Sequence, residues 1–335
     1  MAPRAIPLKN IILLIIIPLV LVGRGKDTDI SSTDDIPVEF QTPWLTGPLL
    51  TPSARTIPKG HINIQPYAFF TSIYGEFNDR WQIDGSNHSF NTSFETFLNY
   101  GLTSWLDTAV LGQVFVNSQN GKTYTGIGDT LFGFGFQLSH EDPKGYRPAI
   151  KLIIAETFPT GNYSDLDPFQ LGADALGNGS YTTRVGLVFG KTYYIKDYIW
   201  VNTRSLIGYN YHTPVHVKNF NSYGGGFNTN GTIHRGGFFP INIGLEVSLS
   251  KNLTIACDVI SLLSGPVTFK GISGTDSLGQ ALAIGSPVAY QLSIAPALEW
   301  NFSANFGIIG GTWFTIAGKN ANAFASGVIS INIYQ

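Results

Sequence analysis

The sequence predicts an all-β chain folded as a transmembrane antiparallel β-barrel of about twelve strands. Three observations predict it. Large apolar residues alternate with small polar ones at a period of two, short and long connections alternate between these runs, and no apolar stretch of about 18 residues follows residue 23.

Composition indicates the solvent. The 335 residues are 43% apolar, 13% aromatic and only 13% charged, against a charged share of about 25% in soluble domains. A net charge of −2 leaves no one-sided basic footprint, which excludes nucleic acid as a partner. Cys257 is the only cysteine. An intrachain disulfide and a Cys-rich metal site are therefore excluded, and the residue reads as a small apolar side chain, buried or facing lipid.

In chain order, residues 1–25 read as a signal peptide. Arg4 and Lys9 flank the start of an apolar run from Ile11 to Gly23, too short for a comfortable spanning helix of about 20 residues. Gly23 and Gly25 give a small-x-small pattern for cleavage, no cysteine follows to carry a lipid, and an uncleaved anchor is the alternative. Residues 26–59 form a lead segment in which Pro37, Pro43, Pro48, Pro52 and Pro58 favour extended backbone. Its apolar patch, Trp44, Leu45, Leu49 and Leu50, is expected to fold back into the barrel mouth as a small plug, to pack on the periplasmic rim, or to stay disordered. Residues 60–335 form the barrel.

Strands are expected near 60–71, 91–101, 105–117, 127–139, 147–158, 181–193, 198–211, 238–249, 253–263, 287–299, 306–316 and 323–334. The fourth sets Phe132, Phe134, Phe136 and Leu138 against Gly133, Gly135, Gln137 and Ser139. The eighth sets Ile241, Ile243, Leu245 and Val247 against Asn242, Gly244, Glu246 and Ser248. The last sets Ile329, Ile331 and Ile333 against Val328, Ser330 and Asn332. Links around 103–104, 141–145, 195–197, 251–252 and 301–304 are short, whereas 72–90, 118–126, 159–180, 212–237 and 264–286 are long and rich in Gly, Asn and Ser. That is the asymmetry of periplasmic turns and external loops, and an even strand count brings both termini to the periplasm. Only the final link, 317–322, is short where a long one is expected. A soluble barrel would point its aliphatic parity inward and cover the other with Lys and Glu. Here that other parity is mostly Gly, Asn, Thr and Ser, which suits a membrane, where a lipid-facing charge costs about 2–4 kcal/mol at the midplane.

Certain short motifs resemble a known group. Gly126-Ile127-Gly128-Asp129 opens a strand, Lys151-Leu152-Ile153-Ile154-Ala155 runs into Pro159-Thr160-Gly161, and Leu45-Thr46-Gly47-Pro48-Leu49-Leu50-Thr51-Pro52-Ser53 and Pro58-Lys59-Gly60-His61 stand ahead of the barrel. Together they resemble the outer-membrane family named for the meta-pathway of phenol degradation. The resemblance implies a channel or uptake barrel for small compounds, aromatic or hydrophobic ones among them, and it carries over no functional residues. One departure is the ending Ile333-Tyr334-Gln335, where such barrels usually end in Phe.

Catalytic and metal chemistry find no pattern. His61 starts a strand, His88 and His234 lie in or beside loops, His140 sits at a turn, and His212 and His216 fall in a loop, so no Ser–His pair shares a strand face and the His212/His216 spacing lacks the helix that would make it a metal pair. Asp165, Asp167 and Asp174 lack the glycine and closing Glu of a Ca²⁺ loop. Gly126-Ile127-Gly128 opens a strand rather than following one into a helix, so it is no dinucleotide loop. No enzyme, cofactor or metal is expected.

The charged residues placed on the lumen parity are Glu95, Asp107, Asp129, Lys151, Arg184, Arg204, Glu246, Asp258 and Glu299. Lys151, Arg184 and Arg204 fall on three consecutive strands and could form one basic strip facing acidic walls, which would act on permeating solutes or else neutralise within a closed lumen. The expectation is a bacterial, Gram-negative outer-membrane channel with a narrow lumen, whose partners are outer-membrane lipid, lipopolysaccharide and the barrel assembly machinery. The alternative is a closed structural or adhesive surface barrel that acts through its external loops.

Overall fold

The computed structural model describes residues 43–85, 88–142 and 145–335; the expected signal peptide and the lead segment before residue 43 lie outside them. Twelve long strands form the barrel: β1 (Ile62–Phe77), β2 (Ser89–Gly101), β3 (Leu106–Gln119), β4 (Thr130–Ser139), β5 (Ala149–Phe158), β6 (Thr182–Lys196), β7 (Ile199–His212), β8 (Phe238–Ser248), β9 (Leu253–Ser264), β10 (Ala289–Ser303), β11 (Phe306–Lys319) and β12 (Ala321–Tyr334). Each pairs antiparallel with its chain neighbours, and β12 returns to β1, with Tyr67 opposite Ser330 and Asn63 opposite Tyr334. Closure leaves no sheet edge, the condition for a sheet to sit in lipid.

The register carries the two-fold pattern around the wall. Phe134 lies opposite Ile154, Ile154 opposite Val185, and Val185 opposite Tyr209, a continuous outward row. One residue along, Gly133, Ala155 and Arg184 make the matching inward row. Burial follows parity: Leu245 is 42% exposed and Glu246 0%, Ile329 is 51% exposed and Val328 and Ser330 1%. A surface of exposed aliphatics and rings over a polar interior is the reverse of a soluble barrel. Aromatic residues ring both rims on the outside, Trp105, Tyr194 and Trp300 at one end and Tyr74, Tyr181 and Tyr211 at the other, the arrangement of membrane-interface girdles.

Short turns join the strands at one end, here the turn end, where β1 begins and β12 closes through Ile62 N donating to Gln335 O. The other, loop end carries long connections, except that Asn320 alone, with φ +51°, turns β11 into β12. Five short strands escaped the alternation. Ile83–Asp84 and Lys122–Ile127 prolong the barrel wall, and Val215–Lys218, Asn230–Arg235 and Val267–Ile272 form a separate three-stranded sheet at the loop end around Val215, Val217 and Ile233. His212, expected in a loop, ends β7, and His216 and His234 sit in the loop sheet. His216 and His234 pair with Thr232 and Thr268, partners 16 and 34 residues away in sequence, which a local pattern does not show.

Candidate functional site in the barrel lumen

The described part of the lead segment, residues 43–59, occupies the lumen. It enters at the turn end, where Trp44 N donates to Lys251 O and Asn301 Nδ2 donates to Trp44 O. It climbs to Leu49, Leu50 and Thr51 and returns to the same end at Pro58, beside Gly101. Leu49 is fully buried against Phe69, Ala256, Ala295, Ile309 and Val328 from the wall, and Ala54 against Ala149 and Val188. The apex meets Asp258, five residues into β9, about 16 Å along a strand at ~3.3 Å per residue.

An extended, proline-rich segment has no backbone ladder of its own, so its amides need acceptors. The wall supplies carboxylates and amides. Asp258 accepts from Leu50 N (3.1 Å), Thr51 N (3.0 Å) and Thr51 Oγ1 (2.5 Å). Glu299 accepts from Thr46 N at 2.7 Å, and Asp107 from Ile57 N at 2.9 Å. Gln137 accepts from Thr56 N at 2.7 Å and donates to Ala54 O at 2.9 Å. Tyr67 Oη donates to Leu49 O, and Lys151 Nζ to Arg55 O at 3.3 Å. Gly47 has φ +122°, and a Cβ there would stand 2.2 Å from Arg204 Nη1, so only glycine lets the segment pass this guanidinium.

The nine expected lumen charges divide by what they touch. Asp107, Asp258 and Glu299 hold the lead segment. Lys151 and Arg204 neutralise acids, Lys151 Nζ lying 3.8 Å from Asp107 and Arg204 Nη2 3.8 Å from the fully buried Glu246. Asp129 stands just ahead of β4 rather than within a strand, and there it accepts from Gly161 N and Asn178 N at 3.0 Å each, fastening the 159–181 loop over the barrel. Glu95 and Arg184 are half-buried in β2 and β6. The three bases do not make one strip. Lys151 lies opposite Val188 and Arg204 opposite Gly190, nearly level, whereas Arg184 is four residues nearer the loop end than Val188, about 13 Å along the strand. Three consecutive strands do not imply one height.

Among the described residues one cavity lies at the turn end, between the two legs of the segment, and another lies toward the loop end. The turn-end cavity, about 420 Å³, is bordered by Arg55, Glu141, Thr192, Asn202, Arg204 and Asn301. The loop-end cavity, about 290 Å³, is bordered by Gln113, Asp129, Thr157, Arg184, His212 and Arg235, with Phe115, Leu176 and Phe238. Arg235 was not among the expected residues because it lies in the loop sheet, outside every alternating run.

Compared with solved structures, the chain superposes on an outer-membrane channel from Pseudomonas putida F1 with a TM-score of 0.62 and 12% identity, over 84% of this chain and 98% of that one. The fold is that of an outer-membrane β-barrel. A NanC porin (TM-score 0.41, 8% identity, 81% of this chain and 98% of that one) and the translocator domain of the autotransporter NalP from Neisseria meningitidis (0.41, 11%, 82% and 87%) also match. The sequence matches no family model and no curated protein. At 12% identity the likeness reaches the fold; the resemblance to the meta-pathway family stays with the short motifs that carry it.

Proposed function

We propose that this chain is an outer-membrane channel that passes small organic solutes, with its turn end toward the periplasm and its lead segment set in the lumen as a constriction. The observation that supports it best is the combination of an apolar outer wall with a polar lumen in which the segment occupies the turn-end half, leaving a cavity between its two legs and another toward the loop end. Structural barrels need no such room. The constriction is not part of the wall: it is a tethered segment held by side chains, so its withdrawal widens the path while the twelve-strand ladder stays intact.

The test is single-channel recording of purified protein in a planar bilayer, for the full chain and for a variant lacking residues 43–57. A small conductance that rises severalfold on deletion is expected. No conductance from either protein, with both showing the heat-dependent gel mobility of a folded barrel, would overturn the channel and favour a closed surface barrel working through its loops. The resemblance to the meta-pathway family favours aromatic or hydrophobic solutes, and conductance block by such compounds is the matching assay.

A further inference from the structure

The loop-end cavity is bordered by two guanidiniums and by Asp129, and neither guanidinium forms a direct ion pair. Among the described residues neither Arg184 nor Arg235 has a carboxylate oxygen within 4.0 Å, whereas Arg55, Lys151, Lys191 and Arg204 each do. Arg184 Nε is buried without a hydrogen-bond partner. The acids nearest Arg184, Glu95 and Asp129, are engaged elsewhere. Asp129 takes the Gly161 and Asn178 amides, and Glu95 takes the side chains of Gln113 and Ser93. Arg235 lies beside the Tyr223 hydroxyl, which itself donates to Asn178 O. His212 is within the electrostatic reach of both arginines and is fixed by Thr182 Oγ1 at 2.8 Å from its Nδ1. A half-buried cation gives up hydration that an acceptor on its guanidinium must replace; Glu95 and Asp129 act on Arg184 only through space, and no oxygen is seated on its Nε.

The remaining lining says what would supply it. Thr157, Thr182 and Gln113 offer further polar atoms, while Phe115, Phe238 and Leu176 present apolar surface on the same cavity, and Phe238 lies flat against His212 with ring centres 6.0 Å apart. A guanidinium fork matches the two oxygens of a carboxylate, and a volume of about 290 Å³ equals that of roughly ten waters at ~30 Å³ each, the size of a small organic acid. We infer that this cavity is a binding site for a small organic monocarboxylate with a flat apolar body, its carboxylate between Arg184 and Arg235 and its body against Phe115 and Phe238. As a step in uptake the site rests on the channel proposed above; its occupancy is measured without any conductance.

Benzoate is the probe, titrated by isothermal calorimetry into the folded full chain in neutral detergent at low salt, with benzyl alcohol and inorganic phosphate as controls. One saturable benzoate site is expected, at least tenfold tighter than either control and weakened as salt is raised. R184Q and R235Q should each weaken benzoate at least tenfold, while K122Q, an exposed loop-end cation outside the cavity lining, should leave it unchanged. Benzyl alcohol binding as well as benzoate, or phosphate binding as well, overturns the assignment on the unaltered protein, whatever the folding of the variants. Unchanged benzoate affinity in both folded arginine variants overturns it too. Benzoate binding without bilayer conductance would leave this site standing and remove only the channel.

Discussion

Asp258 is the side chain on which docking of the lead segment should depend most. It is 0% exposed and accepts from Leu50 N, Thr51 N and Thr51 Oγ1 at the apex of the segment. Asp258→Ala leaves three donors without an acceptor. A hydrogen bond to a charged group contributes about 1.5–3 kcal/mol, but the freed amides recover part of that from water entering the cavity left behind. A net loss of about 3 kcal/mol in docking is therefore expected, a little over a hundredfold in the undocking equilibrium. Asp258→Asn keeps one acceptor and should lose about half of this. The measurement is amide hydrogen exchange in detergent micelles, read at Leu50 and Thr51 and, as an internal reference, at Ile260 and Val247 in the barrel ladder. The apex amides should lose about two decades of protection while the ladder keeps its own. Equal protection of Leu50 and Thr51 in wild type and Asp258→Ala would refute the reasoning, since it would mean that the carboxylate does not hold the segment. Loss of protection throughout the ladder would refute it in another way, making Asp258 a residue of the wall and not of the plug.

Other consequences are equally open to measurement. Ile243→Arg puts a cation on the lipid side and should cost about 2–4 kcal/mol of folding into vesicles, while Asn242→Arg, one residue along on the lumen side, should cost less; equal refolding yields would contradict the facing. Gly47→Ala combines a backbone penalty of about 1–3 kcal/mol at φ +122° with a clash against Arg204, so conductance should increase without change in the thermal midpoint of the barrel; a fall in that midpoint would place Gly47 in the wall's own stability. Purified protein refolded in detergent should give a strand-type far-ultraviolet spectrum and migrate differently before and after boiling, and a helical spectrum would end the barrel.

Period two is a local signal, and it located all twelve barrel strands, because each strand meets lipid on one side and the lumen on the other regardless of its partners. Even the brief final link is real, reduced to Asn320. Contacts between distant segments gave no such signal. The loop sheet joins Val215–Lys218 to Val267–Ile272 through Asn230–Arg235, and nothing near Arg235 in sequence reveals the cavity it shares with Arg184. Charge on the lumen parity was legible, but its use was not. Asp107, Asp258 and Glu299 read either as a field acting on solutes or as charges neutralised within a closed lumen, while their oxygens serve main-chain amides of residues 46–57. The lead segment stood out by its apolar patch, whereas its demand for acceptors follows only from its path.

The lead segment is joined to β1 without slack: Pro58 O accepts from His61 N, and Gly60 N donates to Gly101 O at the barrel rim. Once undocked, it therefore cannot diffuse away. A binder tethered by so few residues re-encounters its site at an effective concentration in the millimolar range or above, so a dissolved solute must displace a competitor that is always present at that level. On the channel proposed above, occlusion would be a one-molecule equilibrium, independent of protein concentration. It would be set by the sum of a few side-chain acceptors, and a substitution in any one of them would change the fraction of time each single barrel stands open.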